Sequence, residues 1–151
     1  MKPTWDEYYL DVARQVAKRS SCSRRQVGAV IVAANRIIST GYNGTPRGVT
    51  NCDEGGCPRC ANTTIPSGEK IDTCLCSHAE ENAIVAAAYH GIATKGAILY
   101  TTFSCCLTCA KMAINAGIKS IKYGGRYTQD SDTLLRAAGM ENQFIGYDFP
   151  H

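Results

Sequence analysis

Two short motifs constrain the fold most, because one metal ion would draw both to a single point although they lie far apart in the sequence. The first is His78-Ala79-Glu80 and the second is Cys106-Leu107-Thr108-Cys109. One imidazole and two thiolates supply three zinc ligands, and a zinc site with three protein ligands keeps its fourth position for water. Zinc lowers the pKa of a bound water from about 15.7 to about 7. The motifs therefore predict a catalytic metal centre held by His78, Cys106 and Cys109.

Glu80 is the predicted catalytic acid and base of this centre. It lies two residues after His78, too far around a helix to share its ligand direction but close enough to reach water at the metal. A carboxylate in that place can carry protons. His-x-Glu followed by Cys-x-x-Cys is typical of zinc deaminases that act on nucleobases. A purely structural zinc, or buried free thiols, would leave Glu80 without a role.

The order of apolar patterns predicts an alternation of strands and helices. The first helix is predicted after a capping box of Thr4 and Glu7. Strands that alternate with helices indicate parallel neighbours in a mixed sheet covered on both faces. The inner face of the first helix is predicted to be Trp5, Tyr9, Val12, Ala13 and Val16. Further helices are predicted over residues 78–90, 106–116 and 131–138, and strands over residues 27–33, 37–42, 97–102, 118–123 and 144–147, with a two- or three-residue turn around Asn35.

A cysteine-rich loop over about residues 51–76 interrupts this alternation. A long loop without secondary structure needs another constraint, and a second, structural zinc held by four thiolates would supply it. Either Cys74 or Cys76 could complete the ligand set, and Cys74 is preferred because Cys76 is tied to the His78 helix. Reduced free cysteines in a flexible loop are the alternative, and Cys22 has no evident partner. The predicted ligands are Cys52, Cys57, Cys60 and Cys74.

Composition indicates one domain over residues 1–151 of a cytoplasmic protein. The chain has 151 residues and 44% hydrophobic content, enough for a core. No apolar run approaches the roughly 20 residues that span a bilayer, and no secretory signal is readable. Nine cysteines in such a chain favour thiols and metal ligands over disulfides. The net charge of +3 comes from scattered basic residues, which favours a small anionic substrate over nucleic acid or membrane.

Three segments resemble the cytidine deaminase superfamily. Residues 78–83, His-Ala-Glu-Glu-Asn-Ala, and residues 106–110, Cys-Leu-Thr-Cys-Ala, resemble the superfamily as a whole. Residues 41–46, Gly-Tyr-Asn-Gly-Thr-Pro, together with Gly48, are similar to its deoxycytidylate (dCMP) deaminase branch. The cysteines of residues 51–76 resemble a cysteine-rich subgroup of fungi and other microbes. The resemblance runs from about residue 5 to residue 149.

The resemblance implies a fold, an activity and partners. The fold would be a three-layer α/β/α sandwich with a five-stranded mixed sheet. The activity would be zinc-dependent hydrolysis of dCMP to dUMP and ammonia, which supplies dUMP for thymidylate synthesis. A homo-oligomer, commonly a hexamer, and regulation by dCTP and dTTP are further implied. The alternatives are a related deaminase of cytidine or nucleic acid, and a non-catalytic zinc-binding interaction module.

One position departs from the family pattern. The family has proline immediately before the first cysteine of Cys-x-x-Cys, whereas this chain has Cys105. Either Cys105 or Cys106 could therefore be the ligand. The spacing of Cys106 and Cys109, one helical turn, favours that pair.

Substrate contacts are predicted at a Gly-rich turn and after the fourth strand. The resemblance implies that Asn43 contacts the sugar hydroxyl, and the alternative is a turn asparagine that tolerates positive φ. Arg24, Arg25 and Arg126 are candidates for a phosphate contact, because arginine forks match phosphate oxygens. Tyr127 is predicted to stack on the base or to line the pocket, with core packing as the alternative.

Overall fold

Five strands form one mixed sheet in the computed structural model, which describes residues 1–127 and 131–146. The strands are β1 (Gly28–Ala33), β2 (Arg36–Tyr42), β3 (Ile98–Thr101), β4 (Ser120–Tyr123) and β5 (Glu141–Phe144). Their order across the sheet is β2-β1-β3-β4-β5. β1 is antiparallel to β2 and β3, whereas β3, β4 and β5 are mutually parallel neighbours. The prediction of a five-stranded mixed sheet is confirmed.

Helices cover both faces of the sheet. They are α1 (Trp5–Ala17), α2 (Pro58–Ala61), α3 (Ala79–Tyr89), α4 (Leu107–Asn115) and α5 (Asp132–Ala137). On one face, Ala29 and Ile31 of β1 pack in a core with residues of α3, α4 and α5. On the other face, Val30 and Val32 pack with residues of α1. The alternation of β1 side chains between two cores is what makes three layers. Within the described ranges, no helix combines the length and the apolarity needed to cross a bilayer.

A two-residue turn joins β1 to β2. Ala34 and Asn35 both have positive φ, 48° and 61°, so the strands close directly with Ala33 opposite Arg36. Positive φ at both positions is typical of hairpin turns whose twist matches the strands. The hydroxyl of Tyr9 donates to the Asn35 carbonyl oxygen at 2.8 Å, which ties the turn to α1.

Helix α1 begins where its cap predicts, but its first residue does not pack inside. The Thr4 side chain accepts a hydrogen bond from the Glu7 backbone N–H at 3.2 Å. Trp5 is 61% exposed, so its prediction as an inward-facing residue is wrong. Because Trp5 lies in the first turn, it stacks on Tyr9 with ring centroids 5.8 Å apart instead of reaching the sheet. Tyr9, Leu10, Ala13 and Ala17 are the buried residues of α1.

The last strand lies three residues earlier than predicted. The sequence predicts it over residues 144–147, whereas β5 is Glu141–Phe144 and pairs in parallel with β4. β5 is the edge strand and three of its four residues are exposed, so its sequence lacks the apolar alternation by which strands are recognised. Residue 147 lies outside the described residues.

Gly41 lets α3 approach β2 closely. A Cβ atom at Gly41 would lie 2.3 Å from the Ala79 carbonyl oxygen and 2.4 Å from the Ala83 nitrogen. Both atoms are backbone, so neither can move without the whole helix. The Ser39 hydroxyl also donates to the Ala83 carbonyl oxygen at 2.6 Å. This contact sets the position of the helix whose first turn carries His78 and Glu80.

We expect Gly41→Ala to lower the free energy of unfolding by about 1–3 kcal/mol, because the added methyl group overpacks the α3–β2 contact. Urea unfolding followed by circular dichroism measures this loss. Gly44→Ala is the matched control, since a Cβ there meets only the Ser21 side-chain oxygen at 3.1 Å. Equal losses in the two variants would contradict the account.

Candidate active site

The first turn of α3 presents the histidine and the glutamate of the first motif. His78 is the N-cap residue, and its backbone N–H donates to Glu81 Oε1 at 3.0 Å. This capping box satisfies N–H groups that the helix start leaves without a backbone partner. Glu80 follows as the second helical residue and is only 5% exposed. Local capping therefore holds both chemical groups at a fixed point of the helix.

The first turn of α4 presents the two cysteines. Cys106 is the N-cap residue, and its sulfur accepts from the Cys109 backbone N–H at 3.5 Å. The His78 Nδ1 atom lies 3.3 Å from the Cys106 sulfur and 3.4 Å from the Cys109 sulfur. A tetrahedron with Zn–N of about 2.0 Å and Zn–S of about 2.3 Å has N–S edges of about 3.5 Å. The three ligand atoms thus fit one zinc ion with an open fourth position.

Cys105 lies outside this group of ligand atoms. Its side chain is buried, and its carbonyl oxygen accepts a hydrogen bond from the Ser131 hydroxyl at 2.7 Å. Burial raises the pKa of the Cys105 thiol well above its usual value. Of the two candidates left open by the sequence, the structure brings Cys106 to His78 and directs Cys105 into the core.

The buried carboxyl group of Glu80 has a side-chain partner in Thr101. The Thr101 hydroxyl lies 2.6 Å from Glu80 Oε1 and donates to it when the carboxyl group is ionised. Thr101 is the last residue of β3 and is fully buried. Thr101 therefore fixes one oxygen of the Glu80 carboxyl group.

The electrostatics of the three ligands suit a cation. The pKa of the Cys106 thiol is lowered to about 4, first by its hydrogen bond with Cys109 and then by the neighbouring His78. The pKa of the Cys109 thiol is raised, first by the same hydrogen bond and then by burial. The Cys106 thiol therefore ionises readily, whereas the negative charge on Cys106 opposes ionisation of the Cys109 thiol. A divalent cation between them removes that conflict.

Burial also shifts the pKa of Glu80, the predicted acid and base. It raises the pKa of the Glu80 carboxyl group, and the Thr101 hydroxyl opposes that rise. The pKa of His78 is raised, first by its hydrogen bond with Cys106. A carboxyl group that must both accept and release protons near neutral pH requires such an upward shift.

A cavity of about 160 Å³ opens beside these groups. His78, Glu80 and Cys106 line one part of it. The cysteine-rich segment lines a second part of the cavity, and the turn after Cys22 lines a third part. Small molecules bind preferentially in concave clefts where a few polar groups converge. Residues predicted for catalysis and residues predicted for substrate binding therefore line the same cavity.

Of the predicted substrate residues, Arg25 and Tyr127 lie together in this cavity. The Arg25 guanidinium carbon is 4.5 Å from the Tyr127 ring centroid and 4.8 Å from that of Phe103. Aromatic faces on which a cation lies hold it by cation–π attraction. The donors of Arg25 have no hydrogen bond among the contacts seen within residues 1–127 and 131–146.

Arg126 and Arg24 have other surroundings. Arg126 lies over the Phe144 ring at 4.9 Å and lines a neighbouring cavity, which shares Ser104 and Tyr127 with the first. Arg24 lines the first cavity, but its guanidinium group is already occupied. It donates to the backbone carbonyl oxygens of Arg59, Cys60, Asn62 and Ile65. Arg24 thus fastens the cysteine-rich segment.

Asn43 lines the cavity and also holds the surrounding backbone together. Its Oδ1 accepts from the Ser20 hydroxyl at 2.6 Å and from the Val27 N–H at 2.8 Å. Its Nδ2 donates to the Arg25 carbonyl oxygen at 2.7 Å. The alternative of a turn residue with positive φ is not observed, since Asn43 is absent from the described positive-φ residues. Within the part of the chain that the structure describes, the second N–H of the amide has no acceptor and can donate to a ligand.

The six remaining cysteines lie together, in an arrangement that differs from the predicted four. One group of mutually close sulfurs is Cys57, Cys60, Cys74 and Cys76, and another is Cys22, Cys52, Cys60 and Cys76. The predicted set splits between these groups, because Cys52 belongs to one and Cys57 and Cys74 to the other. Sequence reasoning left out Cys22 and set aside Cys76. Thr101 was missed as well, and no sequence signal marks it.

The fold and the site together define a class of protein. Its members are α/β/α proteins with an open His-Cys-Cys metal centre and a buried glutamate beside it. Residues 3–125 match the family model of the cytidine and deoxycytidylate deaminase zinc-binding region. The chain belongs to this family.

Curated relatives agree with this assignment. A deoxycytidylate deaminase of Schizosaccharomyces pombe is 51% identical over 147 residues, covering 95% of this chain. A deoxycytidylate deaminase of Saccharomyces cerevisiae is 43% identical over 142 residues, covering 93% of this chain. The chain spans only 45% and 44% of the lengths of these two relatives.

Solved structures share the fold. The dCMP deaminase of cyanophage S-TIM5, in complex with dCMP and dUMP, has a TM-score of 0.78 and 33% sequence identity to this chain. The match covers 96% of this chain and 99% of the phage chain. The expected cytidine deaminase-like fold is confirmed by this similarity.

Proposed function

We propose that the chain is a zinc-dependent deaminase domain that hydrolyses dCMP to dUMP and ammonia. The observation that carries the proposal is Glu80, buried next to three ligand atoms that fit a zinc ion with an open position. A purely structural zinc site is closed by a fourth protein ligand and does not require a buried carboxyl group. Identity to two fungal deoxycytidylate deaminases supports the choice of dCMP.

Each residue of the centre has a distinct task in this reaction. His78, Cys106 and Cys109 would hold the zinc ion, which lowers the pKa of a bound water to about 7. Glu80 accepts one proton from the attacking water and delivers it to N3 of the cytosine ring, then takes the second proton from the new C4 hydroxyl group and delivers it to the leaving amine. Thr101 holds one oxygen of Glu80 and so limits the rotation of the carboxyl group. Water thus supplies the oxygen of dUMP, and the amine leaves as ammonia.

The substrate is assigned from the groups that surround the cavity. The remaining N–H of Asn43 is the proposed donor to a sugar hydroxyl. Arg25 is the proposed phosphate ligand, because it lies at the cavity without a competing hydrogen bond among the described residues, whereas Arg24 is occupied. Tyr127 supports the Arg25 guanidinium group by stacking against it.

A substrate panel tests the proposal. Ammonia release from dCMP, CMP, deoxycytidine and dCTP is measured with the zinc-loaded protein. We expect the highest kcat/KM for dCMP. Equal efficiency with deoxycytidine would replace the nucleotide substrate by the free nucleoside, and release from none of the four would favour a non-catalytic zinc module.

We expect Arg25→Ala to reduce kcat/KM for dCMP by roughly 10- to 150-fold, because a charge-assisted contact to phosphate contributes about 1.5–3 kcal/mol. Deoxycytidine has no phosphate, so its kcat/KM should change little. Steady-state kinetics with both substrates measures the difference.

Arg126→Ala is the matched control for this prediction, since Arg126 also stacks on an aromatic ring but lines the neighbouring cavity. A selective loss with dCMP in Arg126→Ala, but not in Arg25→Ala, would move the phosphate to that cavity. Equal losses on both substrates would give Arg25 a role in folding.

We further propose a structural zinc centre in the cysteine-rich segment. Four buried cysteines in contact there support it, because such thiols share a cation more favourably than they repel one another. We also propose a cytoplasmic location, because cysteines grouped at metal-ligand distances are typical of compartments that keep thiols reduced. Reduced thiols remain available to bind zinc, whereas oxidation to disulfides would remove these ligands.

Assembly and regulation are also proposals. Exposed apolar side chains on α3, with Tyr89 at 69% and Val85 at 56%, support a homo-oligomer, for which a hexamer is predicted from the resemblance. Light scattering after size-exclusion chromatography measures the subunit number. Activation by dCTP and inhibition by dTTP are predicted on the same basis, and initial rates with each nucleotide test them.

A further inference from the structure

Six cysteines outside the catalytic motif form one compact sulfur cluster. Four of them are buried and two are half-buried at its border. They come from three separate stretches of sequence that meet beside the active-site cavity. The six, which we call the thiol cluster, are Cys22, Cys52, Cys57, Cys60, Cys74 and Cys76.

The thiol cluster divides into two groups of four that share two members. Within each group, all four sulfurs lie within 4.8 Å of one another. Cys60 and Cys76 belong to both groups. The first group adds Cys22 and Cys52, and the second adds Cys57 and Cys74. Two tetrahedra that share one edge have this same arrangement.

The sulfur–sulfur distances fit tetrahedral zinc. Cys74 lies 3.7 Å, sulfur to sulfur, from both Cys57 and Cys60. A tetrahedron with Zn–S of about 2.3 Å has S–S edges of about 3.8 Å. A disulfide requires about 2.05 Å, which neither pair approaches. The geometry therefore favours a shared cation over oxidation.

Charge balance permits two ions. Six thiolates around two divalent ions leave an excess of two negative charges, the same excess as four thiolates around one ion. A single ion would instead leave two of the six cysteines without a ligand role. Hydrogen-bond donors also reach the terminal sulfurs. The Leu75 N–H donates to the Cys57 sulfur at 3.3 Å, and the Ser23 hydroxyl lies 3.7 Å from the Cys52 sulfur.

We propose that the thiol cluster binds two zinc ions bridged by Cys60 and Cys76. Cys22 and Cys52 complete the ligand set of one ion, and Cys57 and Cys74 complete that of the other. This inference deepens the structural-zinc part of the proposed function and changes its ligand set. It does not depend on deaminase activity.

The two-zinc cluster would join the walls of the active-site cavity. Cys76 lies two residues before His78, and the adjacent Ser77 pairs with Gly44 through backbone hydrogen bonds of 2.8 and 3.1 Å. Cys22 lies three residues before Arg25, the proposed phosphate ligand. Zinc bound by both segments would hold the catalytic histidine and the substrate arginine in one rigid frame.

Metal counting by native mass spectrometry tests the proposal. We expect about three zinc ions per chain, two in the thiol cluster and one at the catalytic centre. Cys109→Ser should reduce the count by one without affecting the thiol cluster. The zinc counts of the wild-type protein and of Cys109→Ser therefore distinguish an absent catalytic zinc from absent cluster zinc. A count of about two that falls to about one in Cys109→Ser would overturn the two-zinc cluster.

X-ray absorption at the zinc edge supplies a second measurement that needs no variant. Two tetrahedral zinc ions bridged by two thiolates lie roughly 2.7–3.2 Å apart, given Zn–S distances of about 2.3 Å. We expect zinc–zinc scattering at that distance in the wild-type protein. Its absence in fully loaded protein would overturn the bridging assignment.

Cys22→Ser separates the two-zinc cluster from a single four-thiolate site of Cys57, Cys60, Cys74 and Cys76. Cys22 is a ligand only if the first group binds its own ion, so its loss should remove about one zinc and the zinc–zinc scattering. Cys105→Ser is the matched control, because Cys105 lies outside both groups and its variant should keep the full count. An unchanged count in Cys22→Ser would overturn the assignment.

Discussion

Replacing Glu80 with Gln is expected to lower turnover of dCMP by at least about a hundredfold while the catalytic zinc stays bound. Proton transfer by a positioned side chain contributes about 10²–10⁴ to the rate, and an amide cannot perform it. Glutamine keeps the shape of the buried side chain and can still accept the Thr101 hydrogen bond of 2.6 Å. Initial-rate kinetics and metal analysis of the same preparation measure both effects.

Glu81→Gln is the matched control, since Glu81 is the next residue and serves the helix cap. Glutamine also completes a capping box, so this variant should keep nearly normal turnover. Near-normal turnover in Glu80→Gln would remove Glu80 from the mechanism. A loss of zinc in Glu80→Gln would instead assign Glu80 to holding the centre together.

Cys109→Ser is expected to abolish activity together with the catalytic zinc. A serine hydroxyl is a far poorer zinc ligand than a thiolate, and two remaining protein ligands do not make a stable site. Cys106→Ser should behave in the same way, because both sulfurs lie within 3.4 Å of His78 Nδ1. Metal content, measured with the thiol cluster intact, should fall by about one ion per chain.

Cys105→Ser tests the choice between adjacent cysteines. Cys105 is directed into the core, so its variant should keep the catalytic zinc even if its stability falls. Retention of zinc in Cys106→Ser, combined with its loss in Cys105→Ser, would reverse the ligand assignment.

The ligand set of the candidate metal centre could be predicted from the sequence because each of its two motifs is local. A histidine at a helix start and two cysteines one turn apart at another helix start leave few arrangements that a metal can share. The strands that align these helices also carry clear apolar patterns. For these reasons His78, Glu80, Cys106 and Cys109 come together as expected.

Elements with weak apolar patterns were not predictable in the same way. β5 is a mostly exposed edge strand, so its position follows from pairing with β4 and not from its own sequence. Trp5 has the apolar character of a core residue, yet it is 61% exposed and stacks on Tyr9 at the start of α1. The position of β5 and the exposure of Trp5 both depend on tertiary contacts, which the local sequence does not reveal.

The thiol cluster shows a different limit. Cys22 is about 30 residues from the nearest other member, so no local spacing links it to the cysteine-rich segment. Arg24 brings the two together by donating to four backbone carbonyl oxygens of that segment. The only sequence signal was numerical, since three cysteines of the catalytic segment leave six of the nine for a second site.

Deamination of dCMP in ¹⁸O-labelled water is the most direct test of the central claim, that His78, Cys106, Cys109 and Glu80 form a hydrolytic deaminase centre. Hydrolysis forms a C4–O bond with the water oxygen and breaks the C4–N bond. We predict dUMP that carries one ¹⁸O atom, detected by mass spectrometry, with an equal amount of ammonia and almost no product from Glu80→Gln. Absence of labelled dUMP from the zinc-loaded protein would contradict the account.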